Sequence, residues 1–466
     1  MRRKKFITLA LAVTVGMTFG VAIAQPANAN GNCVTYFNGR GTGTPADPYQ
    51  VGAALDLQEV AFCRSASFIQ TADIDLLSAA WTPLGTTATP FTGTYNGGGY
   101  AIAHLNVSGT GYAVGLFGEI AGATLTRIRI TSGTASGGTY VGGLVGKSLN
   151  SNITECSSAA NVTGESYVGG LVGYMMGATS GTTRSLATSF ATGTVSGAWN
   201  PPTTPSSFIG GLVGASDSIN VTQSFASGAV TSDGNYVAGL IGGTSNGSIA
   251  NSYATGAITG DWQVAGLVGE IDLTTISNSY ATGRVTAGAP SNAQGGLVGQ
   301  SSLTSLWTAL TWDITTSTQT GSVNRQIDPG TTASTTAQMK SLNTFTGLGW
   351  NISSSWSSTT TWVICSSFNN GYPHLAAFFT QSTAPCFTPS ANQAPDRFTV
   401  VHQALPMPAS GKCADIIDIT YTWGTGLKGG WQQSWQPWVS PKGGWACIRA
   451  LVKKNDEPWV INNDAA

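Results

Sequence analysis

The heptapeptide YVGGLVG at residues 140–146 does not stand alone. It recurs whole at 167–173, then as FIGGLVG at 208–214, YVAGLIG at 236–242, QVAGLVG at 263–269 and AQGGLVG at 293–299, with a degenerate first copy, AVGLFG, at 113–118. The central leucines Leu116, Leu144, Leu171, Leu212, Leu240, Leu267 and Leu297 are spaced by 28, 27, 41, 28, 27 and 30 residues. A period of this length confines the chain to a stack of like units, each burying its apolar side against its neighbours. A second phrase keeps register with the first. Phe225 in SFASGAV, Tyr253 in SYATGAI and Tyr280 in SYATGRV each follow their leucine by thirteen residues. In the long repeat Phe190 follows Leu171 by nineteen, and insertions fall around 175–183 and 199–207. Ser157 takes the aromatic position in an earlier copy.

The chemistry of one unit narrows the choice further. The runs are short, β-prone and punctuated by glycine, with no three-and-four periodicity, which excludes helical solenoids. The chain is therefore read as all-β, a parallel β-helix or β-solenoid of 27–28-residue coils, each with two or three short strands. A β-propeller is the rival, but its blades run to about 40 residues or more. Equivalent side chains should stack about 4.8 Å apart. That places Tyr253 between Phe225 and Tyr280, and makes Ser252 and Ser279 a polar ladder.

YVGGLVG followed by NSYATGxV resembles the GLUG-motif repeat of large secreted bacterial surface proteins, among them adhesin-like chains and some immunoglobulin-cleaving proteases. The flanks resemble such proteins as well: GTPADPYQV, TADIDL, WTPLG and FTGTYNGGGYAI upstream, WDITTS, TTAQMK and GYPHL downstream. The likeness covers residues 41–375. It implies a β-solenoid displayed outside the cell. No HExxH occurs, so the zinc-protease activity that accompanies some GLUG repeats is not carried over.

The start of the chain reads as an export signal, with Arg2, Arg3, Lys4 and Lys5, an apolar run over 6–24, and Ala27-Asn28-Ala29 for cleavage. No membrane insertion is expected after cleavage. Losing those four cations leaves a mildly acidic chain, which argues against nucleic acid as a partner. Seven cysteines in an exported chain point to disulfides. Proximity in sequence favours Cys33–Cys63, Cys365–Cys386 and Cys413–Cys447, a connectivity that spacing alone leaves open, with Cys156 as a small buried residue.

The organisation expected is a signal over 1–29, an N-terminal cap and first coils over 30–111, and the repeat array over 112–314. Closing coils over 315–378 and a linker over 379–395 lead to a Trp-rich β module over 396–466. AALDLQEVA at 53–61 is the best short helix, its apolar face drawn through Leu55 and Val60, and is the candidate cover for an open β-helix end. AQMKSLNTF at 337–345 is a second short helix.

Functional candidates divide into three. Trp431, Trp435, Trp438 and Trp445, in GGWQQSWQPWVSPKGGW, are read as ligand-binding, because sugar rings stack on exposed indoles. Carboxylate pairs Asp73/Asp75 and Glu270/Asp272 are the closest to the paired acids of a glycosidase or polysaccharide lyase. A row through Thr192, Thr255 and Thr282 is a remote water- or ice-ordering candidate. The histidines His104, His374 and His402 lie far apart in sequence, and no catalytic residue, metal site or cofactor is assigned. The reading that follows is a secreted, non-enzymatic, adhesin-like stalk. It would present a recognition module to an extracellular, glycan or host-matrix surface, free in the medium or held non-covalently at the wall. A carbohydrate-active enzyme on the same scaffold is the alternative.

Overall fold

A computed structural model describes residues 33–109, 111–178, 184–198, 207–288, 293–301, 305–324, 326–366 and 368–379, and the backbone of strands Val400–Pro406, Trp431–Val439 and Trp445–Lys453. The export signal, most of the linker and the inserts at 179–183 and 199–206 lie outside the described residues. The chain forms two compact units, 1–352 and 353–466.

The first unit is a parallel β-helix. One coil is read off the copy that begins at Tyr140: strands Tyr140–Gly142, Val145–Leu149, Asn152–Thr154, Ser157–Ser158 and Asn161–Gly164. Each strand pairs in parallel with its equivalent one repeat on, so Tyr140 meets Tyr167, Val145 meets Val172 and Ser157 meets Phe190. The result is five sheets, here I to V in coil order, of seven, seven, ten, ten and seven strands. Five strands per coil, where two or three were expected, is a correction. The strands are two to five residues long, too short for a period-two pattern to register.

Tight corners separate them. Arg127, Glu155, Thr188, Gln223, Asn251, Asn278 and Ala309 occupy equivalent positions between sheets III and IV, all with φ between 47° and 56°. Left-handed backbone costs a non-glycine residue energy, so the corner persists because the coils on either side impose it. The serine after four of these corners explains how. Ser189, Ser224, Ser252 and Ser279 each accept the backbone N–H hydrogen bond of the position one coil earlier, at 3.1–3.3 Å. Their hydroxyls donate in turn to the carbonyl two residues back, at 2.7–2.9 Å. The expected polar ladder is thus present, longer than read, and fully buried. Cys156 is its first rung, its thiol on the Thr154 carbonyl at 3.3 Å.

The seven motif leucines are completely buried in the column. The interior is thin where sheet IV faces the motif. A Cβ at Gly211, Gly239 or Gly266 would strike the carbonyl of the next coil's glycine, Gly239, Gly266 or Gly296, and then the methyl of Ala226, Ala254 or Ala281, which is why glycine recurs there. Outside sheet IV, Phe190, Phe225, Tyr253 and Tyr280 stack at 4.8–4.9 Å with planes within 5° of parallel, as the register predicts. Residues Phe345 and Trp350 pack beside the Tyr280 end.

The first coils have a wider core, filled by Phe37, Tyr49, Phe68, Phe91, Tyr95 and Phe117. Helix Ala54–Glu59 and the 3-10 turn Val60–Phe62 join this core through Leu57, Val60 and Ala61. Leu55 is 59% exposed, so the apolar face was drawn through the wrong residue. Leu57, Val60 and Ala61 keep i, i+3, i+4 spacing, whereas Leu55 lies nearly opposite. The second predicted helix is broken into Thr336–Met339 and Leu342–Gly347.

In the second unit Trp362–Val363 pairs antiparallel with His374–Leu375. Strand Trp445–Lys453 pairs antiparallel with both Val400–Pro406 and Trp431–Val439.

Candidate functional site

The predicted tryptophans fall on the hairpin of the second unit. Trp438 is register partner to Ala446, Trp435 to Arg449, Trp431 to Lys453, and Trp445 to Val439. Paired residues share a face and alternate residues change face, so strand parity assigns Trp431, Trp435 and Trp445 to one face and Trp438 to the other. Cys447 is opposite Leu405 and Pro437. Cys386 and Cys413 lie outside the described residues. Cys33 and Cys63 form a disulfide. Cys365 is disulfide-bonded as well. Cys156 is free and buried, and burial pushes its thiol up to about 12.

The carboxylate pairs do not meet. Asp73 caps the Ala101 N–H at 2.7 Å. Asp75 accepts from the Leu77 N–H and from His104 Nδ1, both at 2.8 Å, and these bonds hold its carboxyl below the usual range. Glu270 and Asp272 share the outer side of strand Val268–Asp272, near the other end of the column. Burial, then the charge of Asp272, raises the Glu270 carboxyl. Among the described residues no three His, Cys, Asp or Glu side chains are grouped to hold a metal ion. The Asp75–His104 contact joins residues one coil apart, both about half exposed. The Asp75 carboxylate accepts from Nδ1 and so orients the His104 ring. Of the threonine row, Thr282 is buried and Ser227 replaces a threonine between Thr192 and Thr255.

The feature that sequence reasoning missed runs down the outside of sheet I. In the motif the second residue, Val141, Val168, Ile209 or Val237, points inward and is fully buried, so the first residue must point out. Tyr140, Tyr167, Phe208 and Tyr236 form a strip that Tyr112, one residue ahead of Tyr140's register partner Ala113, extends, with centroids 4.6, 4.9, 5.3 and 4.7 Å apart from Tyr112 onward. The interplanar angle falls along it from 86° through 33° and 14° to 7°. Tyr174, from sheet II, packs 5.4 Å from Tyr140 and 5.3 Å from Tyr167. Further on, the outward positions of sheet II shrink to Ala215 and Gly243, and a side chain at Gly243 would strike the Phe208 ring.

Polar groups edge the strip. Tyr112 OH donates to Tyr140 OH at 3.1 Å. Lys147 Nζ sits 5.4 and 5.7 Å from the centroids of Tyr112 and Tyr140, a cation–π geometry, and 3.6 Å from Glu119. Glu119 also accepts from the Thr87 hydroxyl at 2.9 Å. Burial raises the Tyr140, Tyr167 and Tyr236 hydroxyls above the usual range. The signal was legible as the aromatic first letter of four motif copies, which reads equally well as core.

With the coils and their faces in place, three of the repeats match a known motif. The family description "The GLUG motif" matches residues 137–163, 233–259 and 260–286. Halomucin of Haloquadratum walsbyi is 32% identical over 188 residues, which is 33% of this chain and 2% of halomucin. The chain thus spans a small fraction of that relative's length. A crystal structure of a candidate immunoglobulin A1 protease from Bacteroides ovatus superposes with a TM-score of 0.47 at 17% identity, over 72% of this chain and 94% of that one.

Proposed function

We propose that this GLUG β-helix is an extracellular, adhesin-like recognition protein, its coils acting as a stalk and its Trp-rich strands as a module for glycan or matrix ligands. The observation that supports the reading most is the outward aromatic strip, since side chains of that kind facing water along a coil face mark a contact surface. The basic and apolar start of the chain supports export, as do the disulfides Cys33–Cys63 and at Cys365. No helix among the described residues is long and apolar enough to cross a membrane.

A glycan and matrix-protein array tests it, run on the full chain and on a Trp431→Ala/Trp435→Ala/Trp445→Ala variant. Binding lost in the variant assigns recognition to the tryptophans. Silence of the parent on every ligand sinks the reading. A second reading, a carbohydrate-active enzyme, draws on the hydrogen-bonded, solvent-facing Asp75–His104 pair. Release of reducing sugar by the parent and not by His104→Ala would favour it.

A further inference from the structure

We propose that the tyrosine strip of the coil column binds an uncharged polysaccharide, laid lengthwise along sheet I from Tyr112 to Tyr236. The inference rests on the recognition reading above, but puts a ligand on the repeats rather than on the tryptophan strands.

The pitch of the strip is set by the coils, and one ring per rung gives a spacing of 4.6–5.3 Å. That is close to the advance of one pyranose in an extended glycan, so successive sugars meet successive rungs. The ring orientations supply two kinds of contact. At one end Tyr112 stands at right angles to Tyr140 and is 51% exposed, a platform for the apolar face of a sugar. Beyond it the rings turn parallel, satisfy one another face to face, and offer edges and hydroxyls instead. A phenol both donates and accepts, as the hydroxyls of a sugar require.

Charge selects the occupant. The cation at the strip, Lys147, is already matched by Glu119 at 3.6 Å, and Glu270 lies close enough to Tyr236 to act on it electrostatically. Among the described residues of the strip no cation is left uncompensated. An anionic polymer would find no partner there and would meet the field of Glu270 and Asp272, whereas an uncharged chain loses nothing.

Affinity electrophoresis of the full chain tests this, in gels containing hydroxyethylcellulose, galactomannan or polygalacturonate. At least one of the two neutral polymers should retard the protein. Tyr112→Ala/Tyr140→Ala should raise the apparent Kd at least ten-fold and Tyr112→Trp should retain binding, as should the triple tryptophan variant. Tyr112→Ala alone, at a half-exposed ring, guards against a folding artefact and should still weaken binding several-fold. The proposal falls if neither neutral polymer retards the chain, if polygalacturonate alone does, or if the tyrosine variants migrate like the parent. Loss only in the tryptophan variant overturns it too, while leaving the recognition reading intact.

Discussion

Two aromatic ladders run along the same column with the same pitch, and they are not equivalent. The ladder on sheet IV, Phe190 to Tyr280, is near-parallel throughout, and its Tyr253 and Tyr280 rungs are buried. The strip on sheet I starts crossed at Tyr112, becomes parallel only at Phe208 and Tyr236, and beyond Tyr112 is only partly exposed. Repetition explains the first ladder completely: identical units place identical rings over one another. The second departs from repetition where Tyr112, Tyr174 and the Lys147–Glu119 pair gather. Stability resides where the coils agree, and specificity where they differ.

The contrast can be broken by substitution. Tyr280→Ala should cost about 4 kcal/mol, as for other large buried rings, while Tyr236→Ala on the strip should cost about 0.5 kcal/mol. Urea melts of the two variants decide, and equal losses would erase the distinction. Gly256→Ala, whose Cβ would land on the Gly228 carbonyl, should cost about 3 kcal/mol because backbone cannot yield as a side chain does.

The second unit offers a pH test of comparable size. His374 is buried between Phe368 and Phe379, its ring nitrogens have no hydrogen-bond partner among the described residues, and burial lowers it from 6.5 to about 4. Its folded pKa is depressed, so the unfolded chain binds the extra proton between those values. Stability is full above pH 6.5 and falls by about 3 kcal/mol as pH drops towards 4. His374→Phe should flatten that part of the profile, read by near-ultraviolet dichroism, while the column's own transition stays put.

Smaller again, Ser252→Ala should cost about 2 kcal/mol by stranding the buried Ser224 N–H, whereas alanine at exposed Thr231 should be neutral. Least of all, Cys156 should resist iodoacetamide at pH 8 in the native chain and react fully once unfolded, because its thiol stays protonated up to about 12.

The parts legible in the sequence are those the period carries. Leu212, Tyr253 and Ser279 could be set over their equivalents by counting, and the coil register agrees rung by rung. Strands as short as Ser157–Ser158 gave no pattern to read, so the five-sided coil was invisible. Tyr140 and Tyr167 were recognised as motif letters but not as surface, because a tyrosine beside a valine fits either side of a strand. Asp75 and His104 lie one coil apart, yet upstream of the motif nothing marked that distance as a rung.

The register of the column also makes it extensible. The inserts between Leu171 and Leu212 leave Met176 paired with Asp217 and Thr154 with Ala187, so the rungs on either side keep their register. Conversely, duplicating the segment between equivalent points, such as 233–259, would lengthen all five faces by one step and leave both end structures as they are. Length in this molecule is then a digital quantity, counted in coils, and a surface that runs along the coils can be dialled by whole repeats.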